Sequence, residues 1–213
     1  MANKIIRILL VDDHAIVRNG VKLMLSGEQD IAVEGEASNA QEAMQRVREH
    51  DFDVALVDIA MPGKNGLDLL RMLRAERPKL AVLILSTYSE DVYAVRAFKQ
   101  GAAGYLTKDS AGEVLVAAIR KAAAGGKYVT PSLMEKLAGL LGGEGGASHE
   151  QLSNRELEVL KLLAAGESLV KIGEKLHLSP NTVTTYRARI LEKMGMGSNA
   201  ELTRYAIENG LLI

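Results

Sequence analysis

Asp58 closes an apolar run, Val54-Ala55-Leu56-Val57, and is followed by Ile59-Ala60-Met61-Pro62-Gly63. A second run, Ile5 to Val11, ends in Asp12-Asp13. A third ends in Ser86, with Thr87 beside it, and a fourth is followed by Lys108. Short apolar runs of this kind read as buried parallel strands. In open α/β sheets, ligands bind beyond the carboxyl ends of the strands. Three carboxylates gathered there either hold a hard cation or hold protons. Mg2+ favours one or two carboxylates with phosphate and water. Asp13, Asp58 and the backbone carbonyl of Ala60 are candidate ligands, with Asp12 orienting a metal-bound water. A carboxylate also serves as a nucleophile and becomes an aspartyl phosphate. Phosphoryl transfer needs positioning and charge neutralisation above all. Lys108 would supply positive charge, and Ser86 a hydroxyl.

Each residue has an ordinary role when taken singly. An acid pair after a strand often only caps a turn, and a lone lysine is usually a solvated charge. Five residues of matching chemistry on four strand ends are harder to obtain by accident.

The elements that must position these residues alternate along residues 1–124. Strands are predicted at 5–11, 31–37, 53–58, 80–86 and 103–106. Helices are predicted at about 14–26, 40–49, 65–76, 91–100 and 111–124. Such alternation implies a doubly wound, five-stranded parallel sheet covered by helices on both faces, flavodoxin-like in order. Ser38-Asn39-Ala40-Gln41 and Ser110-Ala111-Gly112-Glu113 read as capping boxes. Residues 125–150 read as a linker. Within it, Tyr128-Val129 is a brief extended piece, Pro131-Ser132 starts a short helix, and Gly142 to Gly146 is flexible.

From residue 151 to 213 the pattern is purely helical, a second, all-α domain. Ser153-Asn154-Arg155-Glu156 is a capping box. A short helix from about Ser168 to Leu176 is followed by a tight turn at His177-Leu178. Ser179-Pro180 then opens a longer helix to about Met194. Ser198 caps a last helix. Two helices joined by a short turn, the second well capped, form a helix-turn-helix.

Length and composition bound the rest. The chain has 213 residues and no Cys, which excludes disulfides and thiolate chemistry. No apolar run approaches the roughly 18–20 residues of a membrane helix, and no signal peptide is evident. A cytoplasmic protein with no membrane partner is expected. Residues 1–124 carry 16 Lys+Arg against 17 Asp+Glu, and residues 148–213 carry 8 of each. Any nucleic-acid reading must therefore rest on local placement of charge.

Residues 4–124 resemble a bacterial response-regulator receiver domain. The resembling residues are Asp12-Asp13, Asp58 with Met61-Pro62 and Gly66, Ser86, Gly104-Tyr105 and Lys108. The resemblance implies that Asp58 accepts a phosphoryl group from a sensor histidine kinase and that Asp12 and Asp13 serve Mg2+. It implies a switch in which the Ser86 hydroxyl moves toward the phosphate and the Tyr105 ring turns inward, with Thr87 and Lys108 at the phosphate. One departure is Asp109, where receivers often carry Pro.

Residues 150–210 are similar to the LuxR-type helix-turn-helix of the NarL/FixJ class. The matching residues include Leu152-Ser153, Arg155-Glu156, Gly166, Leu178-Ser179-Pro180, Thr182-Val183 and Lys193. In such motifs the second helix enters the major groove of double-stranded DNA. Val183 and Ile190 should face the core. Thr182, Thr184, Thr185, Arg187, Ala188, Arg189 and Lys193 are then the candidate DNA contacts. Tyr186 stands where many relatives carry His, and Thr184, Thr185 and Ala188 stand where some place lysines.

The leading expectation is a DNA-binding transcriptional regulator of a two-component phosphorelay, a homodimer when activated, with no turnover beyond its own phosphoryl group. One rival is a Mg2+-dependent phosphohydrolase, which would need a substrate-covering cap that this pattern lacks. The other is a DNA-binding protein whose acidic pocket is never phosphorylated.

Overall fold

The computed structural model describes residues 4–88, 90–131, 133–135 and 148–212. The chain divides into two compact units, Met1–Ala138 and Gly139–Ile213.

The first unit holds five strands, β1 Ile6–Val11, β2 Ile31–Ala37, β3 Val54–Val57, β4 Ala81–Ser86 and β5 Gly104–Thr107. They alternate with α1 Ala15–Leu25, α2 Ala40–Glu49, α3 Gly66–Glu76, α4 Glu90–Lys99 and α5 Gly112–Ala123. All strand pairs are parallel, in the order β2-β1-β3-β4-β5. This is the flavodoxin-like order expected from right-handed crossovers. The continuous apolar runs follow from burial on both sheet faces. Ile8, Leu10, Leu56 and Leu83 pack with Val21 and Leu25 of α1 and Leu115 and Ile119 of α5. Leu9, Val11, Val57 and Ile84 alternate with them and are equally buried. Helices α2, α3 and α4 contact the sheet as well.

Two helix starts differ from expectation. At α2 the cap is Asn39, not Ser38. Its side chain accepts the Glu42 N–H at 2.9 Å, while Glu42 Oε2 accepts the N–H of Ser38 at 2.8 Å. Only half of the box forms, one residue later: Asn39 caps the helix, as Asn does as well as Ser, but the Glu42 carboxylate returns to Ser38 and not to the N–H of the cap. At α5 the cap is Ala111 and has no side-chain bond. Ser110 Oγ instead lies 3.2 Å from Thr107 Oγ1, and Ser110 N–H donates to Thr107 O at 3.0 Å. That turn carries Lys108 and Asp109, so the loop closes without Pro.

The predicted linker is divided. Tyr128 bridges Gly104 in parallel, and its N–H donates to Ala103 O at 2.7 Å. The extended piece therefore belongs to the sheet edge of the first unit. Residues 131 and 133–135 are helical. The glycines 142–146 lie outside the described residues.

The second unit contains a 3-10 turn, Ser148–Gln151, and helices α6 Asn154–Ala164, α7 Leu169–Leu176, α8 Pro180–Met194 and α9 Asn199–Glu208. A serine caps each of the four helices. Ser153, Ser168, Ser179 and Ser198 accept from the N–H of Glu156, Lys171, Thr182 and Glu201. Each such cap stabilises by ~1 kcal/mol. The core joins Leu157, Leu160, Ile172, Val183, Ile190, Leu202 and Leu211, all fully buried. Between α7 and α8 the chain reverses at His177, whose φ is +53°. A Cβ on Gly173 would lie 2.6 Å from Leu178 O. Glycine there lets the turn fold tightly against α7.

Candidate functional site

The sheet ladder runs one residue past the strand ends and fixes the backbones of the acidic pocket. Asp12 N–H donates to Ala37 O at 3.1 Å, Asp58 N–H to Val11 O at 2.9 Å, and Lys108 N–H to Ser86 O at 2.9 Å. The loop after Asp58 turns at once, with Met61 and Gly66 N–H both donating to Ile59 O at 3.0 Å. Ala60 lies in this turn, and its backbone N–H faces the Asp58 carboxylate. A Cβ on Gly66 would lie 1.9 Å from Asp58 O, so only glycine permits α3 to start there.

The side chains converge. Lys108 Nζ lies 2.6 Å from Asp12 Oδ2 and 2.9 Å from Asp58 Oδ2. Asp12 and Asp58 are each only 2 % exposed. Burial pushes the Asp58 carboxyl above the usual carboxylate range, and the ammonium of Lys108 offsets this only in part. Burial would depress Lys108, but its bonds to Asp12 and Asp58 hold it above its ordinary value. Asp58 Oδ1 is buried and has no hydrogen-bond partner. A buried acceptor left open costs roughly 1–3 kcal/mol.

Ligand atoms of Asp12, Asp13, His14 and Asp58 lie within 4.8 Å of one another. Hard oxygen donors around an orphaned carboxylate oxygen fit a divalent cation. His14 was not anticipated, because a lone imidazole after two acids carries no periodic signal.

Ser86 is fully buried at the end of β4 and Thr87 is exposed. Tyr105 is 2 % exposed, with its ring inward. The Tyr105 hydroxyl donates to Tyr88 O at 2.8 Å, and Tyr88 N–H donates to Ser86 Oγ at 3.2 Å. Tyr88 was also missed, since it sits in a loop without pattern.

In the second unit, α8 presents the other predicted residues. Val183 and Ile190 are buried, as expected. Thr182, Thr184, Thr185, Ala188, Arg189 and Lys193 are exposed, and Arg187 is half-buried. The Thr184 and Thr185 hydroxyls donate to Pro180 O and Asn181 O, one turn back. Arg187 Nε donates to Asn199 Oδ1 at 2.6 Å. Lys193 Nζ lies 2.7 Å from Oε2 of the buried Glu156. Burial alone would raise Glu156, yet Lys193 and the Ser153 N–H hold it below the usual range. Lys193 thus closes the capping box of α6 as well as lying on α8.

Comparison with known proteins assigns both units. Residues 8–120 match the response regulator receiver domain, and residues 150–206 match the bacterial regulatory proteins of the luxR family. The chain belongs to the response-regulator family. It is a two-component response regulator of the NarL/FixJ class, with a LuxR-type DNA-binding domain. The regulator is 36% identical over 209 residues to the response regulator GacA of Pseudomonas aeruginosa, covering 97% of this chain and 98% of GacA. It is 34% identical over 208 residues to the response regulator UvrY of Escherichia coli K12, covering 97% and 95%. Among solved structures, the response regulator ChrA of a heme-sensing two-component system is 33% identical, with a TM-score of 0.54 over 97% of this chain and 98% of ChrA. RcsB of Salmonella enterica, bound to a promoter with the phosphomimetic BeF3-, is 25% identical, with a TM-score of 0.65 over 94% and 98%. No helix among the described residues is long and apolar enough to cross a membrane.

Proposed function

We propose that the regulator is switched by phosphorylation of Asp58 and that the phosphorylated form dimerises and binds promoters. The observation that carries this reading is the buried, unpartnered Oδ1 of Asp58, held at a strand end between an acid pair and Lys108. A carboxylate so placed is desolvated and pointed, as a nucleophile must be. The Asp58 oxygen bonds to phosphorus as the bond from phosphorus to the sensor kinase's histidine breaks. Lys108 draws phosphoryl charge once Asp58 no longer carries its own. Mg2+ held by Asp13, Asp58 and the backbone carbonyl of Ala60, with Asp12 orienting a bound water, would neutralise the phosphoryl oxygens. Ser86 donates its hydroxyl to the phosphate. Tyr105 responds through Tyr88, and Thr87 borders the phosphate on the solvent side.

On the output side, Thr182, Thr184, Thr185, Arg187, Ala188, Arg189 and Lys193 line the helix offered to the major groove. The family relationship to promoter-bound RcsB supports double-stranded DNA as the partner. A second copy is the partner for α1 and α5. On α1, Ile16 is 87% exposed, Leu23 76% and Met24 49%. Three apolar side chains on one helix are an unusual surface for a solitary domain. A two-fold dimer would match two half-sites one helical turn apart.

The test is DNA affinity and molecular mass in solution, with and without a small-molecule phosphodonor and Mg2+. Tighter binding and a dimer in wild type, both lost in Asp58→Asn, are expected. Affinity indifferent to the phosphodonor would favour a pocket that is never phosphorylated.

A further inference from the structure

The cation pocket contains one side chain that oxygen chemistry leaves unused. His14 follows Asp13 at the start of α1, where its side chain makes no cap hydrogen bond. Its imidazole is 64% exposed, yet Nδ1 lies 2.8 Å from Asp13 Oδ1 and 3.4 Å from Asp12 Oδ1. Asp13 Oδ1 is buried and has no hydrogen-bond partner, so the 2.8 Å approach is not a hydrogen bond in its geometry. An ion with bonds of ~2.1 Å places neighbouring octahedral ligands about 3 Å apart and opposite ones about 4.2 Å apart. Ligand atoms of Asp12, Asp13, His14 and Asp58 within 4.8 Å of one another nearly meet that spacing already.

Two further observations point the same way. The nine-tenths-buried Asp58 directs an unpartnered Oδ1 into the cluster. Lys108 takes the Oδ2 atoms of Asp12 and Asp58, which leaves the Oδ1 atoms for an ion. Asp12 Oδ1 is also steadied by the His14 backbone N–H at 2.8 Å.

We propose that His14 is a direct ligand of the pocket's cation, and that it gives the pocket a preference for borderline divalent transition metals such as Mn2+, Fe2+, Co2+ or Zn2+. The proposal rests on the reading of the acidic pocket as a cation site. Mg2+ is satisfied by oxygen alone, whereas imidazole adds affinity for later metals. Three carboxylates and one imidazole therefore select differently from three carboxylates.

The experiment uses the full chain, His14→Ala and Asp13→Asn. The exposed imidazole caps nothing, so His14→Ala keeps the fold. Pulsed electron paramagnetic resonance of bound Mn2+ reads nitrogen ligation directly, and Co2+ and Mg2+ titrations read selectivity. Wild type should show coupling to an imidazole nitrogen that His14→Ala lacks. His14→Ala should weaken Co2+ by about 10-fold or more and Mg2+ by less than about 3-fold. Absence of nitrogen coupling in wild type, or an equal or absent loss for both metals, overturns the proposal. If Asp13→Asn leaves binding of both metals unchanged, the cation-site reading itself fails, and the role of His14 falls with it.

Discussion

The hydroxyl of Tyr105 and the Oγ of Ser86 are linked through one residue, Tyr88. Tyr105 donates to the Tyr88 carbonyl at 2.8 Å, and the Tyr88 N–H donates to Ser86 at 3.2 Å. The two residues sit on neighbouring strands, Tyr105 on the edge strand β5 and Ser86 at the end of β4, where its carbonyl accepts the Lys108 N–H. A pull on Ser86 toward a phosphate would pass through Tyr88 to the Tyr105 hydroxyl. This linkage is the route by which the proposed phosphorylation switch would reach Tyr105.

Tyr105→Phe keeps the ring and removes the donor. One hydrogen bond contributes ~1 kcal/mol, about a five-fold change in an equilibrium. Phosphorylation of Asp58 should proceed at a rate within about two-fold of wild type, while the gain in DNA affinity on phosphorylation shrinks by about five-fold. Parallel phosphorylation and DNA-binding assays check this. An unchanged affinity gain would remove Tyr105 from the switch.

Asp58→Asn should stabilise the protein at neutral pH. Burial raises the carboxyl above its ordinary value, so the native state disfavours the charged form. A group raised in this way is at its least costly below its unfolded pKa, and its cost appears as pH rises through the folded value. Replacing it should raise Tm by about 2–4 °C near pH 7.5, corresponding to ~1 kcal/mol. The difference should vanish as pH falls into the carboxylate range. Thermal unfolding across pH measures both ends.

Gly66→Ala should destabilise the first unit by roughly 3 kcal/mol or more. The added Cβ would meet the Asp58 carbonyl at 1.9 Å, and backbone cannot swing away as a flexible side chain does. Denaturant unfolding checks this. A loss below about 1 kcal/mol would show that the loop after Asp58 yields easily.

Arg189 and Lys193 should separate binding from stability. Arg189 is exposed on α8, and Arg189→Ala should weaken DNA binding by about 10-fold with little change in Tm. Lys193→Ala leaves the buried Glu156 without its cation. It should cost ~1–3 kcal/mol of stability in the second unit. DNA titration with parallel thermal melts distinguishes the two.

The sheet, its order and the strand-end placement of the pocket residues were legible in the sequence because buried parallel strands are written as unbroken apolar runs. Asp12, Asp58, Ser86 and Lys108 each follow or close such a run. What escaped was set by contacts without period. His14 and Tyr88 lie in turns, where neighbours in space are not neighbours in pattern. The Ser110 capping box failed because the hydroxyl found Thr107 first. The bond from Lys193 to Glu156 spans 37 positions and links two helices whose packing no local pattern reports. On α8, the apolar spacing of Val183 and Ile190 identified the buried side, but it could not say which basic residues have intramolecular partners.

The central claim is that Asp58 is the phosphoacceptor. Intact mass spectrometry after incubation with a small-molecule phosphodonor and Mg2+ tests it most directly. One added phosphoryl group on wild type and none on Asp58→Ala is the predicted result. No added mass on wild type, or the same addition on Asp58→Ala, would contradict it.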